Sequence, residues 1–506
     1  MRSSGNPSRP IALLFMTLAL SAWTSADTPI SDAVRRGDAD AVRTLLRDGA
    51  DVNASAGDGM TALHWAADGG EVEIAAILIA AGANVDAVTR LGDYTPVHLA
   101  SRQGTASLIE ALLEAGANPN SNSTAGGSSA LHFAAGAGSV EAITTLLEHG
   151  AELNGRESSR GQTPLMFAAA KGRAAAVRAL LAHGADPALT SRIVNLPERL
   201  AEDRAAGRRR IAVLADFRAE AAAGAGEAWR PTPSQVEAAV HAATQPPPDG
   251  SVAAVLEDPM GEAYRRGFAP EPPEDAAQQV ILTEVTALSF VELVGTTGGT
   301  SALIYAVREG HAEAAFALLD GGANINQMNS GDHTSALASA TINGHFDLAL
   351  KLLERGADPN LVNDGGVGPL FAALNVEWAP KARYPQQQAY RQQQATYRDV
   401  MSALLEAGAD PNQRLTRHAW FMEYTFTHLG INMAGATPFW RAAHALDIEA
   451  MKILVAAGAD TNVPTINVPR GRGGFGRGGP GGGSGGDPSG LDPVPAGGPG
   501  VFPIHA

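Results

Sequence analysis

The chain of 506 residues contains no cysteine. Disulfides, thiol nucleophiles and cysteine-ligated zinc are therefore excluded. Aromatic residues are scarce, at 5%, so any local crowding of them is informative. Positive charge is in deficit: 37 Lys and Arg face 53 Asp and Glu, a formal charge of −16. At long range such a chain repels nucleic acid and anionic membranes, so neither is its expected partner. Long apolar runs are missing as well. Ile11 to Leu20 is apolar but too short for a spanning helix, which needs about 20 residues. Arg2 and Arg9 precede that run and the small residues Thr24, Ser25 and Ala26 follow it. This is the arrangement of an export signal over residues 1–26, and it places the mature chain in the periplasm or outside the cell with no membrane insertion.

What is present in abundance is repetition. Gly-Ala-Asp/Asn-x-Asn or a close variant follows a Leu-Leu or similar apolar pair at Gly49, Gly82, Gly116, Gly150 and Gly184, glycines 33 or 34 residues apart, and again at Gly322, Gly356, Gly408 and Gly458. A second string precedes most copies: Thr61-Ala62-Leu63-His64, Thr95-Pro96-Val97-His98, Ser129-Ala130-Leu131-His132, Thr163-Pro164-Leu165-Met166, Ser301 to Ile304, Ser335 to Ala338 and Thr437 to Trp440. Thr or Ser caps a helix by accepting a backbone N–H, and proline suits the first helical position. A glycine such as Gly70, Gly104 or Gly138 then ends that helix cheaply. Ile74, Ile77 and Leu78, like Ile143, Leu146 and Leu147, give the second helix its apolar spacing.

The paired motifs at this period resemble the ankyrin repeat, and the chain is read as a bacterial ankyrin-repeat protein with an export signal. The resemblance implies an all-α fold: a solenoid of helix-turn-helix units with projecting loops, here interrupted by a helical and disordered insert. Nine copies are counted, five in 27–192 and four in 299–466. Residues 193–298 form the insert, with helices expected over Leu196–Ala223 and Pro233–Thr244 and a proline-rich middle. Further insertions fall at 377–397 and 413–434. Residues 467–499 read as a flexible Gly/Pro-rich loop, and 500–506 as the start of a further, truncated repeat, since Phe502, Pro503, Ile504 and His505 match the capping string.

The resemblance also implies a binding function. Family members grip protein partners through the groove beside the small residues of the first helix, and here those positions are Arg102, Gln103, Lys171, Arg308, Glu309 and His444, with Tyr94 in a loop. Trp420, Phe421, Tyr424 and Phe426 put four aromatics within seven residues, in a loop that either contacts a partner or folds back on the solenoid. His64, His98 and His132 recur at one repeat spacing, about 10 Å apart in stacked helices. They cannot share an ion, so no metal is expected. Gly471-x-Gly473-x-x-Gly476 and Gly482-x-Ser484-x-Gly486 match nucleotide-binding and nucleophile strings but lack the flanking strand and helix. The expected function is a monomeric, non-catalytic protein-binding scaffold without cofactors. An exported effector, an enzyme using Glu198, Glu202 and Asp203 in the insert, and RNA binding through Arg470, Arg472 and Arg477 are the other readings.

Overall fold

A computed structural model describes residues 29–221, 230–244, 291, 294–378, 389–418 and 433–466. The four aromatics of the 413–434 insertion, the export signal, the Gly/Pro-rich segment and the last seven residues lie outside them. Contacts divide the chain into two compact units: Met1–Arg192 with Thr300–Gln327, and Ile193–Gly299 with Met328–Ala506.

The first unit holds six helix pairs. They are α1 (Pro29–Arg35) and α2 (Ala39–Arg47), α3 (Ala62–Gly69) and α4 (Val72–Ala80), α5 (Pro96–Gln103) and α6 (Ala106–Glu114), α7 (Ala130–Ala137) and α8 (Val140–Glu148), and α9 (Pro164–Ala170) and α10 (Ala174–Ala182). After the insert come α13 (Ala302–Arg308) and α14 (Ala312–Asp320). The insert contributes β1 (Ile193–Asn195), α11 (Leu196–Ala221), α12 (Pro233–Thr244) and β2 (Thr296–Gly298) to the second unit. That unit continues with α15 (Ala336–Ile342), α16 (Phe346–Glu354), α17 (Pro369–Trp378), α18 (Tyr397–Glu406), α19 (Pro438–His444) and α20 (Ile448–Ala456).

Seven of the first helices start at a hydroxyl, whereas α17 follows Gly368. Thr61, Thr163, Ser301, Ser335 and Thr437 accept the N–H of the residue three places on. The core follows the apolar spacing: Leu63, Leu78, Leu108, Leu112, Leu131 and Leu146 are fully buried, each worth about 1.5–3 kcal/mol. In several pairs the first leucine carries the core, as Leu180 and Leu352 show, while its neighbour, Leu181 or Leu353, is half-buried.

The Asn that ends Gly-Ala-Asp-x-Asn is a tie between repeats. Asn120 Oδ1 accepts the N–H of Glu152 at 2.8 Å and its Nδ2 donates to Gly150 O at 2.9 Å, both one repeat on. Asn53, Asn360 and Asn412 do the same toward Gly82, Gly408 and Gly458.

The loop before six of the first helices is a finger built around one buried polar residue: Thr89, Ser123, Glu157 and Ser191 in the first unit, Asn329 and Asn363 in the second; before α3 and α19 the buried residue is Ala56 or Leu415. Its side chain takes up the finger's own N–H groups, as Asn329 Oδ1 does from Gly331, Asp332 and His333. The next residue donates its N–H to the preceding finger: Arg90 to Asp58 O, Thr124 to Gly92 O, Ser158 to Gly126 O and Arg192 to Arg160 O, at 2.7–2.9 Å.

The break in sequence at 193–298 is not a break in the stack. Ser191 N–H donates to Thr300 O and Thr300 N–H to Ser191 Oγ, both at 3.0 Å, closing a finger of ordinary geometry. α13 packs on α9 and α14 on α10, and Gln327 Nε2 reaches Ala188 O at 2.9 Å. The insert therefore leaves from a finger tip. Its β1 and β2 pair antiparallel, and α11 packs along α12, where Arg209 caps the C-terminal carbonyls of Ala242 and Ala243.

Candidate functional site

Counted back from the glycine that ends each first helix, the fifth, second and first residues share one helix face, because spacings of three and four superpose on a helix. In the first unit this row reads Asp32, Arg35, Arg36; Trp65, Asp68, Gly69; Leu99, Arg102, Gln103; Phe133, Gly136, Ala137; Phe167, Ala170, Lys171; and Tyr305, Arg308, Glu309. The structure brings Arg102, Gln103, Lys171, Arg308 and Glu309 onto that one row, all exposed.

Arg102 Nη2 pairs with Asp68 Oδ1 of the preceding repeat at 2.6 Å, and Gln103 Nε2 reaches the same oxygen at 3.3 Å. Arg308 pairs with Glu309 at 3.0 Å and lies 5.1 Å from the centroid of the Tyr305 ring. Lys171 is the cap residue ending α9. Tyr94 is half-buried beside the row, edge-on to His98 at 6.1 Å and to Phe133 at 6.0 Å. His444 lies in the second unit, stacked on Trp440 at 5.2 Å. Its Nδ1 is buried without a hydrogen-bond partner, and burial together with the Arg441 charge pushes its pKa down.

The histidine row is structural in geometry. Thr61 N–H donates to His64 Nδ1 at 3.2 Å, so the ring proton sits on Nε2, which donates to Tyr94 O at 3.0 Å. His98 and His132 repeat this toward Ser121 O and Gln162 O. Both nitrogens are used, and burial holds all three rings below the ordinary histidine pKa. His149 and His183 donate instead to carbonyls of their own helices, those of Thr145 and Ala179.

Two features escaped the sequence reading. One is the aromatic row itself: Trp65, Phe133 and Phe167 are half-buried and Tyr305 is buried, with Phe133 edge-on to His98 at 5.7 Å and Phe167 to His132 at 5.1 Å. The first three stand 68 and 34 residues apart, with Leu99 at the position between Trp65 and Phe133, a register plain in the sequence beside the histidines. The other is Asp447, 4% exposed, where hydroxyl, indole and guanidinium groups from three positions converge. Nothing local in the sequence marks it.

The carboxylates of the insert do not converge: Glu198, Glu202 and Asp203 are all exposed along α11. Among the described residues there is no group of three or more metal-ligating side chains, and no helix long and apolar enough to cross a membrane.

A comparison with curated proteins finds no match. The family model for ankyrin repeats matches three times, over residues 30–123, 97–191 and 276–363. The helix pairs from Pro369 onward lie beyond those matches, yet they share the hydroxyl cap at Thr437 and the Asn ties at Asn360 and Asn412. The chain carries ankyrin repeats and has the fold of an all-α ankyrin-repeat solenoid.

Proposed function

We propose that this chain is a non-catalytic scaffold that acts as a monomer in the periplasm or outside the cell and binds a partner protein through its first-helix row and fingers. One observation carries the reading. Caps, Asn ties and finger hubs recur from repeat to repeat, whereas the row residues change: Asp68, Arg102, Ala137, Lys171, Glu309. A stack with a uniform frame and a varied face presents surface to a partner, which is the established use of such arrays. The export signal over residues 1–26 supplies the location, and a processed N-terminus at Asp27 in envelope fractions is the matching test.

The binding face is tested with a photoreactive residue placed in the full chain at Gln103 or Lys171, and separately at Glu110 or Arg178 on second helices. Irradiation in envelope extract should yield a discrete protein adduct from the first pair and none from the second. Equal yield from both pairs, or from neither, removes the row as the interface.

A further inference from the structure

The row carries charge of the opposite sign to the unit that bears it. Over residues 29–192 and 300–327 the first unit has 13 basic and 21 acidic side chains. Five of the 13 basic ones lie on the row (Arg35, Arg36, Arg102, Lys171 and Arg308), against three of the 21 acidic ones (Asp32, Asp68 and Glu309), which leaves eight against eighteen everywhere else. Cations near helix C-termini complement the helix dipole, but that cause would act on second helices equally. Of the six second helices only α2 ends in a base, Arg47, whereas α6, α8 and α14 end in Glu114, Glu148 and Asp320. The segregation therefore belongs to this face.

The cations are also spaced around an apolar centre. Between Arg102 and Lys171, repeats four and five place only Gly136, Ala137 and Ala170 beside Phe133 and Phe167. A Cβ on Gly136 would lie 3.8 Å from Phe167 Cδ1, so the glycine leaves that side of the ring without the contact a larger residue would make, while His132 packs on it edge-on. Further along, guanidinium groups already lie over aromatic rings at the row's two ends, Arg35 over Trp65 at 5.0 Å and Arg308 over Tyr305. Repeats advance about 10 Å each, and an extended peptide advances about 3.3 Å per residue. A segment of about twelve residues thus spans the four steps from Arg36 to Lys171.

We infer that the first-helix row of the first unit takes an acidic peptide segment of a partner protein, with Asp or Glu flanking an aliphatic or aromatic anchor seated between Phe133 and Phe167. The inference rests on the scaffold reading above and adds the chemistry of the partner. Charge complementarity of this kind acts on encounter rate and selectivity as much as on affinity, so it is read out by salt and by charge reversal.

The probe is a fluorescein-labelled twelve-residue peptide with Glu on both sides of a central Leu-Phe pair, measured by anisotropy against the full chain. Counterparts carry Lys or Gln in place of every Glu. The acidic peptide should bind, weaken about tenfold between low and physiological salt, and weaken about tenfold again with Arg36→Glu/Lys171→Glu. Both side chains are exposed, and circular dichroism checks that the variant stays folded. Preferential binding of the Lys or Gln peptide, or equal binding of the acidic peptide to the variant, would overturn the acidic partner while leaving the scaffold reading intact. Absence of binding by all three peptides overturns it too, and the scaffold then stands or falls on the photocrosslinking alone.

Discussion

Trp378 Nε1 donates to Asp447 Oδ2 at 3.0 Å, and the Tyr397 hydroxyl donates to the same oxygen at 2.5 Å. The other carboxylate oxygen accepts Ala450 N–H, capping α20, and lies 3.5 Å from Arg398 Nη2. This node takes the place of a helix-ending glycine. Repeat eight has Glu377 where repeats one to seven have glycine, α17 runs on to Trp378, and the overrun is tied to the next repeat through its indole.

Removing one donor from this buried carboxylate should therefore cost stability. Tyr397→Phe and Trp378→Phe are each expected to lose about 1–3 kcal/mol in urea unfolding. Burial pushes the Asp447 carboxyl up, but the hydrogen bonds from Tyr397, Ala450 and Trp378, with the Arg398 charge, outweigh it and hold the group below its ordinary value. The same burial and the neighbouring carboxylate push the Tyr397 hydroxyl up to about 12. With the folded pKa of Asp447 depressed, its contribution is complete above about pH 4 and is lost as pH falls. Variants that match wild type at pH 7 would show the node to be inert.

The capping histidines predict an earlier acid response. His64, His98 and His132 must be neutral for Nδ1 to accept the Thr or Ser N–H, and burial depresses their pKa. The unfolded chain binds protons near pH 6.5 and the folded chain does not. Their stabilisation is present above that pH and declines as pH falls below it. Thermal melts from pH 7.5 to 5 should show falling Tm. His98→Met, which installs the residue repeat five uses at this place, should melt lower at pH 7.5 but with a shallower slope. An unchanged slope would assign the acid response to other groups.

The Asn ties give a graded test. Asn120→Ala removes a donor and an acceptor that both reach the next repeat, at about 0.5–1.5 kcal/mol per hydrogen bond. Asn120→Asp keeps the acceptor and should lose roughly half as much. Equal losses would mean that the Nδ2 bond to Gly150 contributes nothing.

Much of this architecture could be read from the chain because its causes are local. Hydroxyl caps, helix-ending glycines and apolar spacing act within a single helix pair, so Thr61, Gly104 and Leu146 announce their roles where they stand. The ties and hubs act between repeats. Asn120 reads as a turn residue until the N–H of Glu152 is found 2.8 Å away. Thr89, Ser123, Glu157 and Ser191 are chemically unlike, and only a common burial and a common backbone partner reveal one position. The row was half visible, since Arg102, Lys171 and Arg308 were legible as exposed variable residues. The aromatic side chains beside them were hidden by the stronger histidine signal one residue earlier. Asp447 depends on two positions about 50 and 70 residues away, which no local pattern encodes.

Two left-handed glycines separate conformational strain from collision. Gly116 has φ 96° and a Cβ there would meet nothing within 4 Å; Gly127 has φ 74° and its Cβ would lie 2.7 Å from Ser158 N. Gly116→Ala should cost about 1–2 kcal/mol, the left-handed penalty alone. Gly127→Ala should cost clearly more, because it also drives Ser158 off its 2.8 Å bond to Gly126 O. Equal costs in urea titrations would show that the finger ladder yields without loss.

The closed finger at Ser191 and Thr300 predicts that the insert can be removed. Deleting residues 194–297 leaves Ser191, Arg192, Ile193, Gly298, Gly299 and Thr300 in sequence, the same length as the finger from Thr89 to Tyr94. Two glycines supply the conformational freedom that the turn requires. The bonds between Ser191 and Thr300 and the packing of α13 on α9 involve no residue of the deleted segment. The shortened chain should keep its helical circular dichroism signal, less the share of α11 and α12, and unfold cooperatively within a few degrees of the parent. A shortened chain in which photocrosslinks between a probe at Arg178 and residues of α14 disappear would show instead that the insert holds repeats five and six together.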